Sequence, residues 1–143
     1  MENNQATSYV GVGRRFVAHV VDLLISFLGL GFMLAALTGN LTATGFQMEG
    51  LAAFGLFLLM FVYFWLLEGL MGATLGKLLL GIEVQRVDGG RCGLVASLVR
   101  NLLRIIDGLL VYLVAAILVW NSEKRQRLGD MAAKTVVVRR RKK

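Results

Sequence analysis

Two apolar blocks, each long enough to cross a bilayer as a helix, constrain this chain more than any other feature. Phe16–Thr38 runs for about 23 residues, or roughly 35 Å as a helix, against a hydrocarbon layer of ~30 Å. Leu51–Leu67 adds about 17 residues without a charge and extends to Met71 if Glu68 lies at headgroup level. Hydrophobic residues make up 57% of the 143, and the mean hydropathy is +0.68. A soluble domain of this length spaces its apolar residues with a period, whereas here they come in blocks. The predicted fold class is mostly α. It is a membrane helical bundle with two spanning helices (16–38 and 51–71), a re-entrant or interfacial helical pair and a small cytoplasmic β element.

Arg14 and Arg15 precede the first block, as in a signal peptide, but the block is too long, and Asp22 interrupts it. It reads as an uncleaved span. Met1–Gly13 is polar and lacks a core-forming pattern, so it reads as a cytoplasmic segment. The connection Gly39–Gly50 is short and polar, with no Lys or Arg. The net charge of +7 sits instead at Arg14–Arg15, in Lys77–Arg104 and in the tail Lys124–Lys143. By the positive-inside rule, both termini are cytoplasmic and the Gly39–Gly50 connection is outside. The expected location is the bacterial cytoplasmic (inner) membrane. Tyr63 and Trp65 suit an interfacial aromatic belt. Attraction to anionic lipid accounts for the basic tail, 140–143 included, and no nucleic-acid fold motif accompanies it.

Beyond the second span the pattern changes. Ile82–Val87 mixes apolar and charged residues and runs into the turn signal Asp88-Gly89-Gly90, so 77–92 reads as a β hairpin. Thr135–Val138 is a second β-branched run, too short to stand alone, and Ile82–Val87 is its expected partner. Between them lies Leu94–Trp120, interrupted by Arg100, Arg104 and Asp107. One crossing there would put the basic tail outside and part the two strands. Leu94–Ile106 is therefore expected at or dipping into the inner interface, with Gly108–Trp120 as its return arm. Two short crossings would satisfy the same parity.

The first span carries a polar stripe. At 100° per residue, Arg15, His19, Asp22 and Ser26 fall within roughly 60° of one another. Charge at the centre of the hydrocarbon costs at least about 2.5–3.5 kcal/mol, so the stripe must face protein or water. One reading makes Asp22 a proton or small-cation carrier with His19 as a shuttle. The other makes Asp22 a structural ion-pair partner and His19 a polar packing residue. Arg100, Arg104 and Asp107 repeat the spacing of Arg15, His19 and Asp22, which is compatible with a degenerate internal repeat or with chance. A crossed arrangement, Asp22 with Arg104 and Asp107 with Arg15, would neutralise both stripes.

Gly31, Ala35 and Gly39 repeat at every fourth position and would let another helix approach, either the second span or the first span of a second copy. Gly72–Lys77 lacks the spacing of a phosphate loop and reads as a glycine-rich exit with Lys77 at the headgroups. Cys92 is the only cysteine, which excludes an intrachain disulfide. No catalytic triad, metal spacing or cofactor fingerprint appears, so neither an enzyme nor a cofactor is expected. The expected partners are the bilayer and its anionic lipids, Na+ or H+ if the chain transports, and a second copy of the chain.

Four groups of residues resemble the RDD family of small bacterial membrane proteins, named for one arginine and two aspartates. Gly11, Gly13, Arg15, Ala18 and Asp22 are similar to the family's opening, with Arg15 and Asp22 in the first two signature places. Gly72-Ala73-Thr74-Leu75-Gly76-Lys77, followed by Gly81 and Val84, resembles its G-x-T-x-G-K block. Arg100-Asn101-Leu102-Leu103-Arg104 resembles its R-N-x-x-R helix. Asp130, Ala133, Thr135 and Val137 resemble its closing D-x-x-A-x-T-x-V block, which makes Asp130 the implied second signature aspartate and Asp107 the rival. The resemblance covers nearly everything from Gly11 to Arg139, a membrane domain of 14–139. His19 stands where aromatic residues are usual, and Gly129 where His is frequent. Some family members are described as sodium–proton antiporters, so the resemblance implies monovalent cation–proton exchange as an activity to test.

Overall fold

The computed structural model describes residues 8–109, 117, 119–121 and 123–140. Helix α1 spans Val12–Thr38 and α2 spans Gly50–Met71. Both are long and apolar enough to cross a membrane. Each ends on a glycine in the left-handed region, Gly39 (φ 73°) and Gly72 (φ 72°), where a β-carbon would be strained. The connection between them is more than a polar loop. It contains a minimal hairpin, β1 (Leu41–Thr42) antiparallel to β2 (Gly45–Phe46). The ring of Phe46 fills the space where Gly31 would otherwise carry a side chain. Gly31 therefore serves this hairpin, and Gly39 is a helix terminator. Gly31 and Gly39 of the small-residue stripe are thus not a seam for another helix within the chain.

After α2 the chain makes a short helix α3 (Leu75–Leu79) and strand β3 (Ile82–Arg86). Lys77 is thus helical, and only the later part of 77–92 is extended. Arg86 donates its N–H to Gly90 O across the turn, and a single bridge joins Gln85 to Arg91. Strand β3 pairs antiparallel with β4 (Thr135–Arg139), Val84 facing Val137. The two β-branched runs expected to meet do so. The segment before α1 joins them: Tyr9 bridges Val138, and the Val10 N–H donates to Val137 O at 3.0 Å. Val10 is buried with Ala18, Ile82, Val84, Cys92 and Val137 in a small apolar cluster. Reading Met1–Gly13 as lacking a core role missed this, because one buried residue sets no period.

Helix α4 covers Leu94–Leu109, and α5 covers Leu128–Ala132. Most of the expected return arm Gly108–Trp120, and the side chain of Asp107, lie outside the described residues. The packing of α4 is inside-out. Ser97, Arg100 and Asn101 are buried, while Val95 is 79% exposed and Leu102 and Ile106 are about half exposed. Helices α1 and α2 follow the same rule, with Leu24, Phe27, Leu51 and Phe54 outside and Asp22 and Glu68 fully buried. In water this arrangement would expose apolar area and bury charge, both unfavourable. In a bilayer it is the expected polarity.

Candidate functional site

Two glycines bring the charged helices together. At Gly69 a β-carbon would lie 3.0 Å from Leu94 Cα, so only glycine lets α4 cross α2 this closely. At Gly129 it would lie 3.2 Å from Arg100 O, which sets α5 against α4. The α2–α4 crossing is pinned by Trp65, whose indole N–H donates to Leu94 O at 2.9 Å, and by Ser97, whose hydroxyl donates to Trp65 O at 2.8 Å.

These crossings assemble a buried ion network around two carboxylates. Glu68 accepts from Lys77 Nζ at 2.6 Å, from Arg100 Nε, and from Arg104 Nη2 at 3.3 Å. Asp130 accepts from Arg15 Nη1 at 2.8 Å, from Arg100 Nη1 and from the Arg127 backbone N–H at 3.1 Å. Arg100 spans both carboxylates and also donates to Thr135 Oγ1 at 2.6 Å. Burial alone would raise the Asp130 carboxyl, but Arg100, Arg127 and Arg15 hold it well below the ordinary carboxylate range. Burial pushes Lys77 down to about 8, against the pull of Glu68.

Asp22 stands apart from this network. Its carboxylate is fully buried and accepts from the Tyr63 hydroxyl at 3.0 Å, the Gly76 N–H at 2.7 Å and the Thr74 hydroxyl. All three donors are neutral, and among the described residues no cation lies within ion-pair distance. Thr74 occupies the N-cap of α3 without capping it through its own side chain. Asp22 accepts the free Gly76 N–H instead, so a carboxylate from α1 caps α3 from outside. Gly76 is required there because a β-carbon would overlap Ala18 O and the Asp22 carboxyl.

The expected pairing of Asp22 with Arg104 is therefore corrected; that of Asp107 with Arg15 involves a side chain outside the described residues. Arg104 goes to Glu68 and Arg15 to Asp130. Reading Asp22 as an ion-pair partner fails with it. Helical period places residues on a face but does not say which turn of the next helix meets them. His19 is partly buried beside Phe64, with ring centroids 5.4 Å apart. Sequence reasoning missed Glu68 and Lys77, both assigned to the headgroups and both buried. The signal for Glu68 was present: a lone acid within a long apolar helix needs a partner inside the protein.

The four scattered sequence groups thus converge on one end of the bundle. Arg15 and Asp22 come from the first, Gly72, Thr74, Gly76 and Lys77 from the second, Arg100 and Arg104 from the third, and Asp130 and Thr135 from the last. The RDD family model matches residues 9–134. The chain belongs to the RDD family. That membership and the two apolar helices place it among membrane proteins. No curated protein and no solved structure matches it.

Other chemistry is sparse in this RDD protein. Among the described residues no cluster of His, Cys, Asp and Glu could hold a metal ion. Cys92 is buried, and burial is the first cause that pushes its thiol up to about 11. An open cleft of about 970 Å³ runs beside β3, lined by Gly72, Val84 and Arg91 among others, and Asp22 is not on its wall.

Proposed function

We propose that this RDD protein is a non-enzymatic membrane scaffold or accessory subunit of the bacterial cytoplasmic membrane, with both termini cytoplasmic. The observation that carries the reading is that Glu68, Asp130 and Asp22 are each fully buried and each hold at least three donors. Carboxylates so engaged lock helices together. The basic segments lie on the cytoplasmic side, where the anionic leaflet attracts them.

One observation favours a second reading, monovalent cation–proton exchange at Asp22. It is a buried acid without a cationic partner among the described residues. The hydroxyl oxygens of Tyr63 and Thr74 beside it are ligands that a hard cation accepts. Proteoliposomes separate the two. The scaffold reading expects no sodium-driven proton flux from folded protein, and expects Asp22→Asn only to lower stability. Sodium-dependent flux that disappears in a folded Asp22→Asn variant overturns it in favour of exchange.

A further inference from the structure

Among the described residues the buried network is not neutral. Arg15, Lys77, Arg100, Arg104 and Arg127 share two carboxylates, Glu68 and Asp130. Asp22 supplies no relief, because its carboxylate is turned to neutral donors. The surplus also appears as unused hydrogen-bonding capacity. Besides Arg100 Nη2, the donors Arg15 Nη2, Arg104 Nε and Nη1, and Arg127 Nε are buried without a hydrogen-bond partner. Native proteins rarely leave such donors unmet, and a buried guanidinium without its bonds is costly.

These donors share one corner of the bundle. Arg15 and Arg127 both reach Asp130 Oδ2, at 2.8 and 3.8 Å. Arg104 lies over the Phe64 ring at 5.0 Å, and His19 packs on the same ring. Arg15, His19, Arg104 and Arg127 therefore bound a cationic corner between the start of α1, the middle of α4 and the start of α5. Arg104 and Arg127 keep 14% and 21% of their side chains exposed, so the corner opens to the surroundings at its edge.

We propose that this corner is a binding site for a phosphate group, held by the free guanidinium N–H donors of Arg15, Arg104 and Arg127. A phosphate matches the donor set because it is anionic and offers several strongly accepting oxygens, so that single N–H donors from different arginines can each find one. The corner stands at the same end of the bundle as the basic segments, where phospholipid headgroups are concentrated. The same chemistry would accept inorganic phosphate from solution. None of these donors belongs to the terminal run Arg141-Lys142-Lys143, whose charge also attracts anionic lipid.

The test uses the full chain with Arg141, Lys142 and Lys143 replaced by Gln, so that the tail contributes nothing. It is placed in nanodiscs of zwitterionic lipid alone, of zwitterionic lipid with added inorganic phosphate, and of zwitterionic lipid with an anionic phospholipid. Thermal unfolding is read in each, and native mass spectrometry reads the phospholipid that stays bound after detergent extraction. The expected result is a rise in Tm with a phosphate source and a retained phospholipid. Arg127→Gln keeps the backbone N–H to Asp130, and it weakens binding by about tenfold, the loss of one charge-assisted hydrogen bond. A rise with inorganic phosphate but no retained lipid supports the site and assigns the soluble source. No Tm change in either arm, or equal binding by a folded Arg127→Gln variant, overturns it. If Arg127→Gln does not fold, the tail-neutralised chain decides alone, since sodium chloride at matched ionic strength must not reproduce the shift.

Discussion

Asp22 and Glu68 are both fully buried carboxylates on long apolar helices, yet they are held in opposite ways. Among the described residues Glu68 faces three cations and no neutral donor from another element. Asp22 faces two hydroxyls and a backbone N–H and, among the described residues, no cation. The difference follows from what each must join. Glu68 sits where α2, α3 and α4 meet and balances charge that those helices bring. Asp22 sits where α3 begins against α1 and supplies an acceptor to a helix start. One carboxylate is a counter-ion and the other is a cap. Losing the first strands charge, whereas losing the second strands only dipoles.

The contrast is sharpest at Glu68→Gln. That change leaves Lys77, Arg100 and Arg104 buried against a neutral amide, and breaking a buried ion network from one side costs about 3–5 kcal/mol. Thermal unfolding in detergent should show most of the stability gone, with little folded protein at 37 °C. A variant that unfolds within a few degrees of the parent chain would show that Glu68 is not the counter-ion.

Acid acts next, through the same network. The Asp130 carboxyl is held below its ordinary 3.8 in the folded protein. Its contribution is therefore complete above pH 3.8 and is lost as pH falls from there towards the folded value. Tm should drop on acidification through that window, and Asp130→Asn should flatten the slope while lowering Tm at neutral pH. An equally steep slope in Asp130→Asn would assign the acid sensitivity elsewhere.

Asp22→Asn should cost less, about 1–3 kcal/mol, because it strands neutral donors and places one amide N–H beside other donors. A loss equal to that of Glu68→Gln would break the distinction between counter-ion and cap. The smallest effect belongs to Asp88, whose pair with Arg86 at 3.4 Å is exposed on both sides. Asp88→Ala should change stability by no more than about 0.5 kcal/mol, read from the same melts.

Much of this was legible before any coordinates. The polar stripe on α1 was expected to face inward, and Arg15, Asp22 and Ser26 are buried. Strand β3 was matched to β4 because each is too short to stand alone. The identity of the partners was not legible. Arg15 pairs with Asp130, 115 residues away, and a span of that kind carries no local signal. Glu68 and Lys77 were placed at the headgroups because their positions along the chain suit that depth, and nothing in the chain order says that α4 covers them.

What the sequence settled by itself was which residues could not face lipid, because block length, helical period and the cost of bare charge act on each segment alone. What the tertiary structure decided was how those residues are satisfied. That depends on the crossings allowed at Gly69, Gly76 and Gly129. A shift of one helical turn, roughly 5.4 Å, exceeds the reach of a hydrogen bond, so those crossings choose between a cap and a counter-ion.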